Sequence, residues 1–183
     1  MTLPTRLLRR RLIRAFTTVP DAAAWRDTAI IYAGFLVLAV PLAALRGLVV
    51  PVATQLEPLE VLRLAGRALI VPSLFEELLY RVLLNPHRSE HRFESRRWFW
   101  GGVSIALYVA SHPVGTWLLR PWASGVLAAP DFLLIVGLLG GATLLAYWRS
   151  GSLWPPLVLH WLTVVGWLLL GGGELLAPSA GPG

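Results

Sequence analysis

The chain has 183 residues, of which 56% are hydrophobic and only 14% charged, and its mean hydropathy is +0.64. This composition excludes an ordinary water-soluble domain and fits one membrane domain of several spans, with no stretch long enough to bury a second, soluble core. The net charge is +6, all sixteen basic residues are arginine and there is no cysteine, which excludes a disulfide framework, a thiolate nucleophile and a cysteine-held metal.

Residues 1–27 form a basic amphipathic arm in which Arg6, Arg9, Arg10, Arg11 and Arg14 alternate with Leu7, Leu8, Leu12, Ile13 and Phe16. This pattern predicts a helix lying in the membrane interface. The apolar run that follows lacks a cleavage signature and is expected to be an uncleaved anchor. The predicted fold is all-α, a polytopic transmembrane helical bundle of about five spans with that interfacial basic helix in front. The spans fall at about 28–50, 62–84, 98–119, 131–148 and 153–172, each near the ~20 residues that cross a ~30 Å hydrocarbon core. They make a single transmembrane domain, 28–172, and residues 173–183 are expected to be a flexible tail. No internal repeat is visible.

The arginines orient these spans. The N-terminal arm, the loop bearing Arg88, Arg92, Arg96 and Arg97, and Arg149 fall on one side, and Arg46, Arg63 and Arg120 on the other. The positive-inside rule then places the N-terminus in the cytoplasm. Arginines flanking apolar spans imply lipid headgroups as the partner of this charge, and no nucleic acid. Exclusive use of arginine in an Ala-, Leu- and Gly-rich chain is the usage expected of a GC-rich bacterial genome, so the expected location is a bacterial inner membrane.

The second span carries Leu74-Phe75-Glu76-Glu77-Leu78-Leu79-Tyr80-Arg81. A carboxylate near the middle of a spanning helix costs roughly 2.5 to 3.5 kcal/mol on insertion scales, so such a group usually faces a bundle interior and has a task. Glu77 and Arg81 share a face at i, i+4, which permits an ion pair, whereas Glu76 and Tyr80 lie on the neighbouring face. Glu76 is therefore left without a sequence-local cation, and a purely structural salt bridge would account for Glu77 with Arg81 but not for Glu76. Pro72 removes a backbone hydrogen bond just before the acids and should bend the helix there.

His112 in the third span follows Tyr108 by one turn, and the fifth span buries His160, with Thr163 and Val164 at i+3 and i+4. The fourth span has Gly137, Gly140 and Gly141 and no ionisable group between Phe132 and Trp148, the pattern of a packing helix. One glutamate and two histidines from three helices, all at intermediate depth, suit water activation. The carboxylate acts as general base, one histidine holds the water or passes the proton, and the other donates to a developing oxyanion. Serine catalysis fits less well, because Ser73, Ser104 and Ser111 lack a Gly-x-Ser-x-Gly setting. Zinc is a competing but unfavoured reading, since Glu with two His is a known ligand set but no H-E-x-x-H occurs. No cofactor is otherwise expected.

Glu76 to Arg81 matches an EExxxR motif, Tyr108 to His112 an aromatic-xxx-His motif, and His160 the start of an HxxxN motif. In motif order and spacing the chain, from about residue 60 to 170, resembles the CAAX-processing and bacteriocin-processing (CPBP, or Abi) family of intramembrane glutamic endopeptidases. The resemblance implies a hydrolase whose cavity holds a glutamate-activated water that cleaves a peptide bond in a membrane-embedded or membrane-proximal protein or peptide substrate. It implies Glu76 as base, His112 as its partner in activating the water and His160 as oxyanion stabiliser, with Glu77, Arg81, Tyr108 and Thr163 in support. One departure stands out: Val164 occupies the position of the family asparagine. Small bacterial members with a similar His-Trp-Leu-Thr-Val-Val stretch look like proteases that process C-terminal sorting or membrane-anchoring signals. The reading from another class is a non-catalytic membrane scaffold or immunity-type binding protein on the same fold, which Val164 favours and the three polar residues oppose.

Overall fold

The computed structural model describes residues 3–49, 56–91, 93–172 and 175–176. Among these there are seven α-helices and no strand. Most of the expected flexible tail lies outside the described residues, as does Arg92.

The basic arm folds as α1, Leu3–Thr17, and Asp21 then caps α2, Ala22–Leu45, by accepting a hydrogen bond from the Ala24 amide. Four helical segments are long and apolar enough to cross a membrane: α2, α4 (Phe93–Leu119), α6 (Pro130–Ser150) and α7 (Trp154–Trp167) extended by a wide turn to Gly172. The chain is thus a multi-pass membrane protein. The remaining expected span, 62–84, is helical but broken. It comprises α3 (Pro58–Ala68) and two π-helical stretches, Leu69–Leu74 and Glu77–Leu83, with Val71 in extended conformation at φ −133° and ψ 114°. The physical reason is Pro72, which has no N–H to continue the ladder. A short α5, Ser124–Leu127, connects α4 to α6.

α6 is the central post, packing against α2, α4 and α7. Phe35 and Ala39 of α2 meet Leu139, Ala142 and Ala146 of α6 and Leu159 of α7 in one buried cluster. The close approach in α6 is made by Gly140 rather than by a Gly137/Gly141 pair. A Cβ on Gly140 would stand 3.0 Å from the Tyr108 ring, whereas one on Gly141 would meet nothing within 4 Å. α2 and α6 run antiparallel, with Arg46 near Asp131 at 3.6 Å at one end and Arg149 near Asp27 at 3.5 Å at the other. The outward faces of the spans are apolar and exposed, as at Ile30, Val37, Leu107, Val114 and Leu162, which suits contact with lipid tails.

Candidate active site

The broken segment delivers Glu76 and Glu77 into the bundle on two different faces. Glu77 and Arg81 are both fully buried, and Arg81 Nε lies 3.4 Å from Glu77 Oε2, the ion pair expected from their spacing. A buried guanidinium needs more than one partner. Arg81 Nε donates to Thr143 Oγ1 of α6 at 2.8 Å and Nη1 donates to Ser104 Oγ of α4 at 3.1 Å, while the guanidinium covers the Tyr108 ring at 4.8 Å. Ser104 in turn donates to the Tyr80 carbonyl at 2.6 Å, and Asn85 Nδ2 donates to the same oxygen at 2.6 Å. Arg81 therefore ties the acid-bearing segment to α4 and α6.

Glu77 has a second partner. His160, buried on α7, places Nδ1 2.8 Å from Glu77 Oε1, so the Nδ1 proton is donated to the carboxylate. This bond fixes the ring and turns Nε2 toward Glu76, whose Oε2 lies 3.7 Å away. That separation is too long for a direct hydrogen bond. Glu76 Oε2 has no hydrogen-bond partner among the described residues. Its side chain retains 18% exposure where the Glu77 side chain has 0%, although Oε2 itself is buried.

His112 lies across Tyr108 from this pair. The Tyr108 ring stands edge-on to both imidazoles, 5.0 Å from His112 and 6.0 Å from His160. His112 Nδ1–H donates to the Tyr108 carbonyl at 2.9 Å, which leaves Nε2 of the neutral ring as an acceptor. Tyr108 is 1% exposed and is pinned between Arg81 and Gly140, so it sets the separation of the two histidines. Thr163 directs its hydroxyl proton to the Leu159 carbonyl of its own helix at 2.9 Å. Val164 offers no donor. Among the described residues no three His, Asp or Glu side chains are disposed to hold a metal ion.

Apart from Thr163, the candidate site residues named from the sequence therefore join in one chain of contacts from three elements, the broken segment, α4 and α7. Thr143, Ser104 and Asn85 belong to it as well. The one sequence signal for Thr143 was a threonine three residues after Gly140 in the otherwise apolar middle of its span.

The family model described as type II CAAX prenyl endopeptidase Rce1-like matches residues 58–166, which takes in every residue of this site and leaves out α1 and α2. No curated protein and no solved structure matches the chain.

Proposed function

The chain belongs to the Rce1-like type II CAAX endopeptidase family, and from that premise we propose that it is an intramembrane endopeptidase of the glutamic type. Family membership implies intramembrane proteolysis of a protein substrate. The observation that carries the finer reading is the division of labour between adjacent carboxylates: Glu77 is held by Arg81 and His160, while Glu76 faces His160 Nε2 with a free oxygen.

In this reading a water is held beside Glu76 and His160 and is oriented by His112 Nε2. Glu76 takes its proton as the water oxygen attacks the scissile carbonyl carbon. The resulting oxyanion is met by His160 when Nε2 carries a proton, with Glu77 holding the ring through Nδ1. Glu76 then returns the proton to the leaving amine, and the C–N bond breaks.

The proposed substrate is an exported protein with a C-terminal sorting or anchoring segment, in a bacterial inner membrane with the N-terminus of this chain in the cytoplasm. The single domain 28–172 is the proposed unit, with 1–27 as its arm. Comparing the C-termini of membrane and exported proteins in cells carrying the native chain or Glu76→Gln tests this substrate class. Tails that persist only in the variant support it, and identical C-termini reject it. A scaffold that only binds a partner's transmembrane segment would retain its function in Glu76→Gln.

A further inference from the structure

α1 lies outside the matched family region, yet it is bonded to both elements that carry the candidate site. Arg11 forks onto Glu90, with Nε to Oε1 at 2.7 Å and Nη2 to Oε2 at 2.9 Å, and its Nη1 donates to the Leu83 carbonyl at 2.8 Å. Leu83 ends the π-helical stretch that begins at Glu77. One turn further along α1, the Ala15 carbonyl accepts from the Leu153 amide at 2.9 Å, and the Phe16 carbonyl accepts from Trp154 Nε1 at 3.2 Å. Trp154 begins α7, the helix of His160. Leu83 is seven residues beyond Glu76 and Leu153 seven before His160, so both ties lie about 10 Å along the chain from the reacting pair.

We infer that α1 is a strap that sets the height of the Glu76 segment against α7, and that Arg11 is the positioning residue that fastens it. The contact it controls is the 3.7 Å approach of Glu76 to His160, made by side chains on two different elements. Arg11 suits this role because its fork is geometrically demanding and its side chain is only 11% exposed. Ala15 is fully buried in a cluster with Val82, Tyr147 and Leu153, so the strap is packed as well as bonded. A second tie between the same elements passes through His87, whose Nε2–H donates to the Gly151 carbonyl at 2.9 Å, and whose own amide donates to Glu90 Oε1 at 2.9 Å. Glu90 thus joins the two ties.

This inference rests on the glutamic-protease reading only where it concerns rates, so the test takes two readouts on the full chain in nanodiscs. Arg11→Gln removes the charge and the fork at similar length, Arg11→Lys keeps the charge alone, and Glu90→Gln keeps an acceptor for the His87 amide. The first readout is the ¹⁵N-histidine NMR signal of His160 Nδ1–H, assigned by its loss in His160→Asn. Arg11→Gln should shift and broaden it while helical content is kept, with Arg11→Lys intermediate. The second is the kinetic split, where kcat should fall about 10- to 100-fold with KM within about twofold, as expected when reacting groups are displaced by about 1 Å. An unchanged His160 signal in folded Arg11→Gln overturns the strap. If that variant does not fold, Glu90→Gln decides by the same signal. Should Glu76→Gln still cleave substrate, the assignment of Glu76 as base fails and the NMR signal alone settles the strap.

Discussion

Glu77 Oε1 accepts the Nδ1 proton of His160 at 2.8 Å across 83 residues of sequence, so the second glutamate of the pair orients a histidine as well as neutralising an arginine. Glu77 therefore joins stability to site geometry, and its removal should be felt in both.

Glu77→Ala leaves Arg81 buried without its carboxylate, and breaking a buried pair in this way typically destabilises by about 3 to 5 kcal/mol. Replacing both partners with apolar residues, Glu77→Leu with Arg81→Met, should be less destabilising than Glu77→Ala alone, because no charge is stranded. Denaturation midpoints in one detergent compare the two. Thr143→Val should destabilise by about 1.5 to 3 kcal/mol through the loss of an acceptor for the same guanidinium.

Val164 concerns rate rather than folding. With Thr163 bonded to the Leu159 carbonyl, His160 is the one side chain proposed to meet the oxyanion. One well-placed donor can be worth about 2.7 to 4 kcal/mol in activation free energy. Val164→Asn is therefore expected to raise kcat by about tenfold or more, with KM little changed. A fall in kcat without loss of folded protein would show that the oxyanion lies elsewhere.

How far the site was legible in the sequence follows from which contacts are local. The i, i+4 pairing of Glu77 with Arg81 and the break at Pro72 are properties of one segment, and both appear in the structure. The depth of His112 and His160 placed them in the interior, but helical periodicity does not say which faces meet. The contact of His160 with Glu77 was therefore not legible, and neither was that of Arg81 with Thr143. Thr and Ser in helices are especially opaque, because their hydroxyls can equally bond a carbonyl of their own preceding turn, as Ser150 does with Ala146. The basic arm read as a purely interfacial helix because Arg11 pairs with Glu90 at a distance of 79 residues. Nothing in its amphipathic pattern distinguishes Arg11 from Arg9 or Arg10.

The loop that receives α1 should make folding stability depend on pH. Burial depresses His87 below its ordinary value near 6.5, against a smaller opposing effect of its bond to Gly151. Burial raises Glu90, but its bonds to Arg11 and the His87 amide outweigh that and hold it below its ordinary 4.5. For each group the unfolded chain takes up a proton at a higher pH than the folded one, so both contribute stability at neutral pH that is lost on acidification. The loss begins as pH falls through about 6.5 with His87 and continues below 4.5 with Glu90. Melting temperature measured from pH 8 to 4 should decline through both windows, and His87→Gln should flatten the first.

Metal removal separates the glutamic reading from a zinc protease. Cleavage by the reconstituted chain should be unaffected by a strong chelator, and metal analysis of purified protein should find zinc well below one equivalent. Stoichiometric zinc with chelator-sensitive cleavage would overturn the assignment of Glu76 as base.

The most direct test is the single-turnover cleavage rate of Glu76→Gln against the native chain in proteoliposomes, with helical content and melting temperature confirming an intact fold. The substitution keeps size and hydrogen-bonding capacity and deletes the base. General-base catalysis contributes about 10²- to 10⁴-fold, so the account predicts a rate reduced by at least about a hundredfold. A Glu76→Gln enzyme that cleaves at the native rate would contradict it.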